Sequence, residues 1–119
     1  MGPEKKIETK ACRELKQRGA LSVKLNLMGQ RSWPDRLFIV PPPDRLRPGR
    51  IVLIEFKAPG EPLTPAQADL HRKIRRRGFE DIFVCSSVEG ALAACGFSRA
   101  VAAEKREARA AKKISRSGH

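Results

Sequence analysis

Glu55, Lys57 and Asp35 are the residues of this chain whose types and spacing could do chemistry. Glu55 and Lys57 end the run IVLIEFK (51–57), which otherwise reads as a buried strand. Moving an unpaired charge out of water costs several kcal/mol even after relaxation, so both groups need a partner there. Side chains alternate along a strand, so Glu55 and Lys57 share one face while Ile54 and Phe56 share the other. Asp35 follows Pro34 immediately before a second apolar run, RLFIV (36–40). If the two runs pair as a hairpin, the start of one lies beside the end of the other, and Asp35 approaches Glu55. Two adjacent carboxylates repel unless a cation lies between them. Hard cations such as Mg2+ are held by one or two carboxylates, with waters and phosphate oxygens completing the shell. An ammonium beside that ion would hold an attacking water or offset charge on a phosphoryl oxygen. This is equipment for cutting a phosphodiester.

The net charge agrees. The 119 residues carry 25 Lys and Arg against 13 Asp and Glu, a balance of +12. Such a surface attracts polyanions, of which nucleic acid is the commonest. Candidate phosphate contacts are Arg31 and Arg36 around the Pro-Asp turn, Arg75, Arg76 and Arg77 in HRKIRRR, and Lys112 and Lys113 near the C-terminus. No apolar run approaches the roughly 20 residues of a spanning helix, and MGPEKKIETK is charged from the start, so neither a membrane span nor a secretory signal is expected. Cys12, Cys85 and Cys95 lack CxxC spacing, which points away from zinc and from a disulfide framework, and a reducing cytoplasm follows as the expectation.

The elements that must position these groups are legible in the pattern. Residues 4–18 form a first helix with Ile7, Ala11 and Leu15 at helical spacing, stopped by Gly19. LSVKLNL (21–27) alternates as a half-buried strand, MGQRSWPD turns the chain, and RLFIV is the second strand. PPPDRLRPGR cannot join a ladder, because proline has no donor, and reads as an exposed hairpin connection to IVLIEFK. After the loop APGEPLTP, Thr64 is the N-cap of a helix with Pro65 first and Gln67 at the capping-box position. Ala66, Leu70 and Ile74 make its apolar stripe, His71 reads as a surface residue, and Gly78 closes it. DIFVCSS is a fourth strand and SVEGALAAC a short helix starting near Ser87. The order αβββαβα describes one α/β domain over 1–97, followed by a basic helical or disordered extension over 98–119.

PDR at 34–36 followed by EFK at 55–57 resembles the PD-(D/E)xK nuclease superfamily. MGQRSWPDRLFIV, GRIVLIEFKAPGEPLTPAQADLHRKIRRRGF and IFVCSSVEGAL together resemble the VRR-NUC family, over about residues 4–96. The ExK triplet alone is a weak signal; the ordered set is a strong one. The resemblance implies a restriction-endonuclease-like αβββαβ core with a mixed central sheet flanked by helices. It implies a Mg2+ or Mn2+ ion on Asp35, Glu55 and the main-chain carbonyl of Phe56, with Lys57 as the catalytic lysine. Glu8 matches the acidic residue that such nucleases add from the first helix, and Gln67 the glutamine that the family places after the ExK strand. Stand-alone members look similar to Holliday-junction resolvases, which implies a homodimeric endonuclease acting on branched DNA. The chain departs from the family at Ser32, where a glycine is usual, and at Trp33, where a small aliphatic residue stands. The rival reading is a non-catalytic basic nucleic-acid-binding module, in which Gln67 serves only as a cap and Glu55 and Lys57 only as an exposed ion pair.

Overall fold

The computed structural model describes residues 2–25, 32–42, 44 and 46–97. The proposed extension over 98–119, the far end of the first strand at Leu27, and Arg31, Lys112 and Lys113 lie outside the described residues. Along the chain come α1 (Pro3–Gln17), β1 (Leu21–Lys24), β2 (Arg36–Val40), β3 (Arg50–Phe56), α2 (Pro65–Arg76), β4 (Ile82–Cys85) and α3 (Val88–Ala94). The strands form one sheet in the order β1-β2-β3-β4. The first two pairings are antiparallel and β3–β4 is parallel, which makes the mixed sheet.

Local chemistry explains the ends of the elements. Pro3 opens α1 with a φ already suited to a helix, Glu4 lies in its first turn and Lys16 in its last, matching the helix dipole. Gly19 stops it at φ +94°, a conformation that side chains rarely adopt, while Gly19 and Ala20 donate back to the carbonyls of Lys16 and Leu15. The proline-rich connection carries no ladder bonds among its described residues and joins β2 to β3 as a hairpin. Arg50 then ties the start of β3 to its neighbours, donating to both Asp81 oxygens at 3.2 and 3.1 Å and to the Ala94 carbonyl at 3.0 Å.

Helices α1 and α3 cover one face of the sheet. Ala11 and Leu15 of α1 and Ala91 and Leu92 of α3 pack with Phe38, Val40, Val52, Ile54, Phe56 and Cys85. Burial pushes the thiols of Cys85 and Cys95 up to about 11 and about 12, so both are packing groups and not nucleophiles.

The other face carries Glu55, and two expectations change there. β1 is not half-buried: all four residues are exposed, Leu21 by 64%. The alternation is present, but its apolar side lies on the face that α1 and α3 do not cover. Leu21, Ile39 and Ile51 are register partners across three strands and form an open apolar row there. His71 is not a surface residue but only 1% exposed, whereas Ala66 is exposed. His71 stands one turn beyond Gln67, on the inward side of α2. Burial, with Arg75 nearby, lowers its affinity for a proton, and neither ring nitrogen has a hydrogen-bond partner among the described residues.

Candidate active site

The register of the hairpin builds the site. Arg36 pairs with Ile54, so the next residues outward, Asp35 and Glu55, meet at the end of the β2–β3 ladder. Asp35 Oδ2 accepts the Phe56 amide at 2.7 Å, a side chain supplying the acceptor that the ended ladder no longer does. Glu55 is 4% exposed and Lys57 7%. Both lie on the face opposite Ile54 and Phe56, as the alternation requires.

The electrostatics of the carboxylate pair are diagnostic. Burial and the neighbouring Asp35 push the Glu55 carboxyl up to about 8, with Lys57 pulling the other way. Burial also raises Asp35, opposed by the amide bond from Phe56. The Asp35 charge and burial together disfavour ionisation of Glu55, so the two neighbouring carboxyl groups resist being charged at once. Glu55 Oε1 is buried with no donor among the described residues. Two adjacent carboxyl groups that resist joint ionisation, beside an orphaned oxygen, form a pattern that a divalent cation relieves. The donor set therefore fits such an ion, although no cluster of three or more His, Cys, Asp or Glu side chains converges among the described residues.

Gln67 joins two tasks that sequence reasoning set against each other. Its Oε1 accepts the Thr64 main-chain amide at 2.9 Å and its own main-chain amide donates to Thr64 Oγ1 at 3.1 Å, a complete capping box. With Oε1 so engaged, Nε2 is turned to Glu55 Oε2 at 3.3 Å. Thr64→Ala is expected to cost about 1 kcal/mol of stability with little change in activity. Gln67→Ala is expected to lose as much stability and also activity, because it releases Glu55. Thermal melts paired with turnover on the two variants check this; equal activity in both would reduce Gln67 to a cap.

Glu61 was not among the sequence candidates. Ala58–Glu61 is a turn with Gly60 at φ +83°, closed by the Glu61 amide on the Ala58 carbonyl at 2.9 Å. Glu61 Oε1 accepts the Ala58 amide at 3.0 Å, and Oε2 faces Lys57 Nζ at 3.6 Å. The Pro-Gly pair four residues before the helix was the available signal, since it folds residue 61 back on 57.

Glu8 is buried on α1 and already engaged. Its Oε2 accepts from Arg36 Nε at 2.6 Å and Oε1 from Lys5 Nζ at 3.3 Å. Burial opposes its ionisation, but Arg36 and Lys5 outweigh that and hold the carboxyl below its ordinary range. Its charge is felt at Asp35, so it borders the pair. Of the basic candidates, Arg36 is thus in an ion pair, and Arg75 and Arg77 donate to the carbonyls of Ile82 and Lys73. Arg75, Arg76 and Arg77 are all exposed. Trp33 is half-buried, next to the buried Pro34.

A mixed sheet whose hairpin ends in Pro-Asp and Glu-x-Lys, with a capped helix delivering a glutamine, is the arrangement that the resemblance to restriction-endonuclease-like nucleases implied. The chain is similar to a solved structure described as a VRR_NUC domain, at 28% identity and TM-score 0.64, covering 76% of this chain and 91% of that one. It is also 34% identical over 83 residues to "Putative nuclease p44" of Acyrthosiphon pisum secondary endosymbiont phage 1, spanning 70% of this chain and 83% of the relative. No family model matches. The chain belongs to the VRR-NUC family of the PD-(D/E)xK nucleases.

Proposed function

We propose that the protein is a divalent-metal-dependent endonuclease that hydrolyses DNA phosphodiesters. The observation that carries this reading is the adjacent carboxyl pair of Asp35 and Glu55, with Glu55 buried and Lys57 on the same face. Asp35, Glu55 and the Phe56 carbonyl would hold Mg2+ or Mn2+, and Glu8 would add acidic character at its border. The ion would supply charge stabilisation at the phosphate and a more acidic water. Lys57, buried and facing Glu61, would orient that water and meet charge on the phosphoryl oxygens. Gln67 would hold Glu55 in place.

The preferred substrate in this reading is branched DNA such as a four-way junction, cut by a homodimer, since two symmetric cuts need two sites. The open apolar row of Leu21, Ile39 and Ile51 supports self-association, because it lies exposed on the sheet face that α1 and α3 do not cover. No helix among the described residues is long and apolar enough to cross a membrane, and a cytoplasmic location belongs to the same proposal.

The deciding experiment incubates labelled four-way junction, flap and duplex DNA with the protein in Mn2+, Mg2+ or EDTA, alongside a solution-mass measurement. Cutting that EDTA stops, greatest on the junction, is expected from a particle of twice the chain mass. Absence of EDTA-sensitive cutting on every substrate would favour the non-catalytic binding module.

A further inference from the structure

The N-terminal turns of α1 and the end of β1 bring together cations that the site described above does not use. Lys24 is the direct cross-strand partner of Arg36. Lys5 pairs with Glu8 one turn along α1, the residue that also holds Arg36. Lys24 is thus linked to Lys5 through Arg36 and Glu8. Three cations therefore surround one carboxylate, and that carboxylate is 3% exposed and consumed by Arg36 and Lys5. The Lys24 ammonium has no anionic partner of its own among the described ion pairs. Like charges directly opposed across strands are unfavourable unless something neutralises them. Lys5 and Glu8 both act on Asp35, so the cluster borders the carboxylate pair.

We propose that Lys5 and Lys24, backed by the Glu8–Arg36 pair, bind one backbone phosphate of the DNA close to the bond being cut. The sheet order explains the geometry. Lys24 on β1, Asp35 beside β2 and Glu55 on β3 lie in sequence across one end of the sheet, and Gln67 of α2 stands beyond Glu55. A strand drawn across that end meets the basic face of α2 on one side and the lysine pair on the other. Glu8 fixes Arg36 and draws in Lys5, while leaving both ammonium groups with hydrogens to donate to a phosphate oxygen. This site rests on the nuclease reading, which it deepens by locating a second phosphate.

The test separates the two. Affinity of the full chain for fluorescein-labelled duplex DNA is measured in EDTA against NaCl concentration, where no cleavage is required. The double variant Lys5→Ala/Lys24→Ala is expected to lower the salt slope by about 0.9, the value for one phosphate. Lys10→Ala, on the same helix and exposed, is the control and is expected to fall short of that. Duplexes carrying one neutral methylphosphonate at successive linkages locate the contact. One linkage is expected to weaken wild-type binding and leave the double variant indifferent, the coupling that a direct contact demands. Lys5→Gln/Lys24→Gln repeats the measurement if the alanine pair disturbs folding by circular dichroism. An unchanged slope, or the same linkage sensitivity in variant and wild type, overturns the phosphate site. Missing cleavage in Mn2+ with the coupling present overturns the nuclease reading alone.

Discussion

Lys57→Ala, Asp35→Ala and Glu55→Ala are each expected to lower DNA cleavage by about a thousandfold or more while changing DNA affinity only slightly. Removing one preorganised group that meets developing charge costs roughly 100- to 1,000-fold, and losing a metal-holding carboxylate also removes the ion. Affinity survives because counterion release along the whole basic surface supplies it, and one group at the site contributes little of that. Among the three, Asp35→Ala has an added structural effect, since it deprives the Phe56 amide of its acceptor. A buried amide left without a partner costs about 1 to 3 kcal/mol, so this variant melts lowest. Asp35→Asn keeps an acceptor at that position and is expected to melt near the wild type while remaining inactive. Single-turnover cleavage with paired binding isotherms reads the result. Retained cleavage in Lys57→Ala and Glu55→Ala would remove the catalytic assignment altogether.

A second large effect is expected in stability against pH without divalent ions. Unfolded, Glu55 ionises near its ordinary 4.5; folded, it does so at about 8. Between those values the folded protein keeps a proton that the unfolded chain has released, so each step upward in pH favours unfolding. Asp35 is shifted in the same direction. The stabilisation is thus complete below about pH 4.5 for these groups and lost as pH rises through about 8, a change on the order of a few kcal/mol. Glu8 has the opposite sign, and its contribution is lost only at acid pH. The melting temperature in EDTA is expected to fall between pH 5.5 and about 8.5. Glu55→Gln, which cannot ionise, flattens that slope and raises the melting point at the alkaline end while abolishing cleavage. Mn2+ or Mg2+ at alkaline pH restores the wild type, because an ion bound only by the folded state stabilises it. A pH-independent melting temperature, or a Glu55→Gln slope as steep as wild type, would contradict the raised Glu55 carboxyl.

How much of this was legible in the sequence depended on whether the deciding contact was local. The faces of Glu55 and Lys57 follow from alternation alone, and the Thr64–Gln67 box from a spacing of three. The hairpin followed from prolines that exclude a ladder, which in turn brought Asp35 to Glu55. What failed depended on which faces the helices cover. Leu21 and Val23 alternate like a half-buried strand, yet nothing in a strand's own pattern says that α1 and α3 choose the other side. His71 looked like part of a basic surface because Arg72 and Lys73 follow it. Its spacing of four from Gln67 and three before Ile74 already placed it on the inward stripe. Glu8 could be placed on α1 beside the apolar stripe, but its capture by Arg36, 28 residues away, is visible only in the fold.

The alternation in β3 also sets what kinds of genetic change this protein can absorb. Residues 50–56 are read two at a time, core side and site side. Substituting one core residue for another of similar volume disturbs packing locally. Deleting or inserting a single residue between Ile51 and Ile54 inverts everything after it, sending Glu55 and Lys57 into the helix-covered core and Ile54 and Phe56 out to the phosphate. The proline-rich connection just before it has no such parity, because its residues join no ladder. Length variation among related chains should therefore accumulate between β2 and β3 and be almost absent within β3, and within β3 only changes of two residues would preserve the sides.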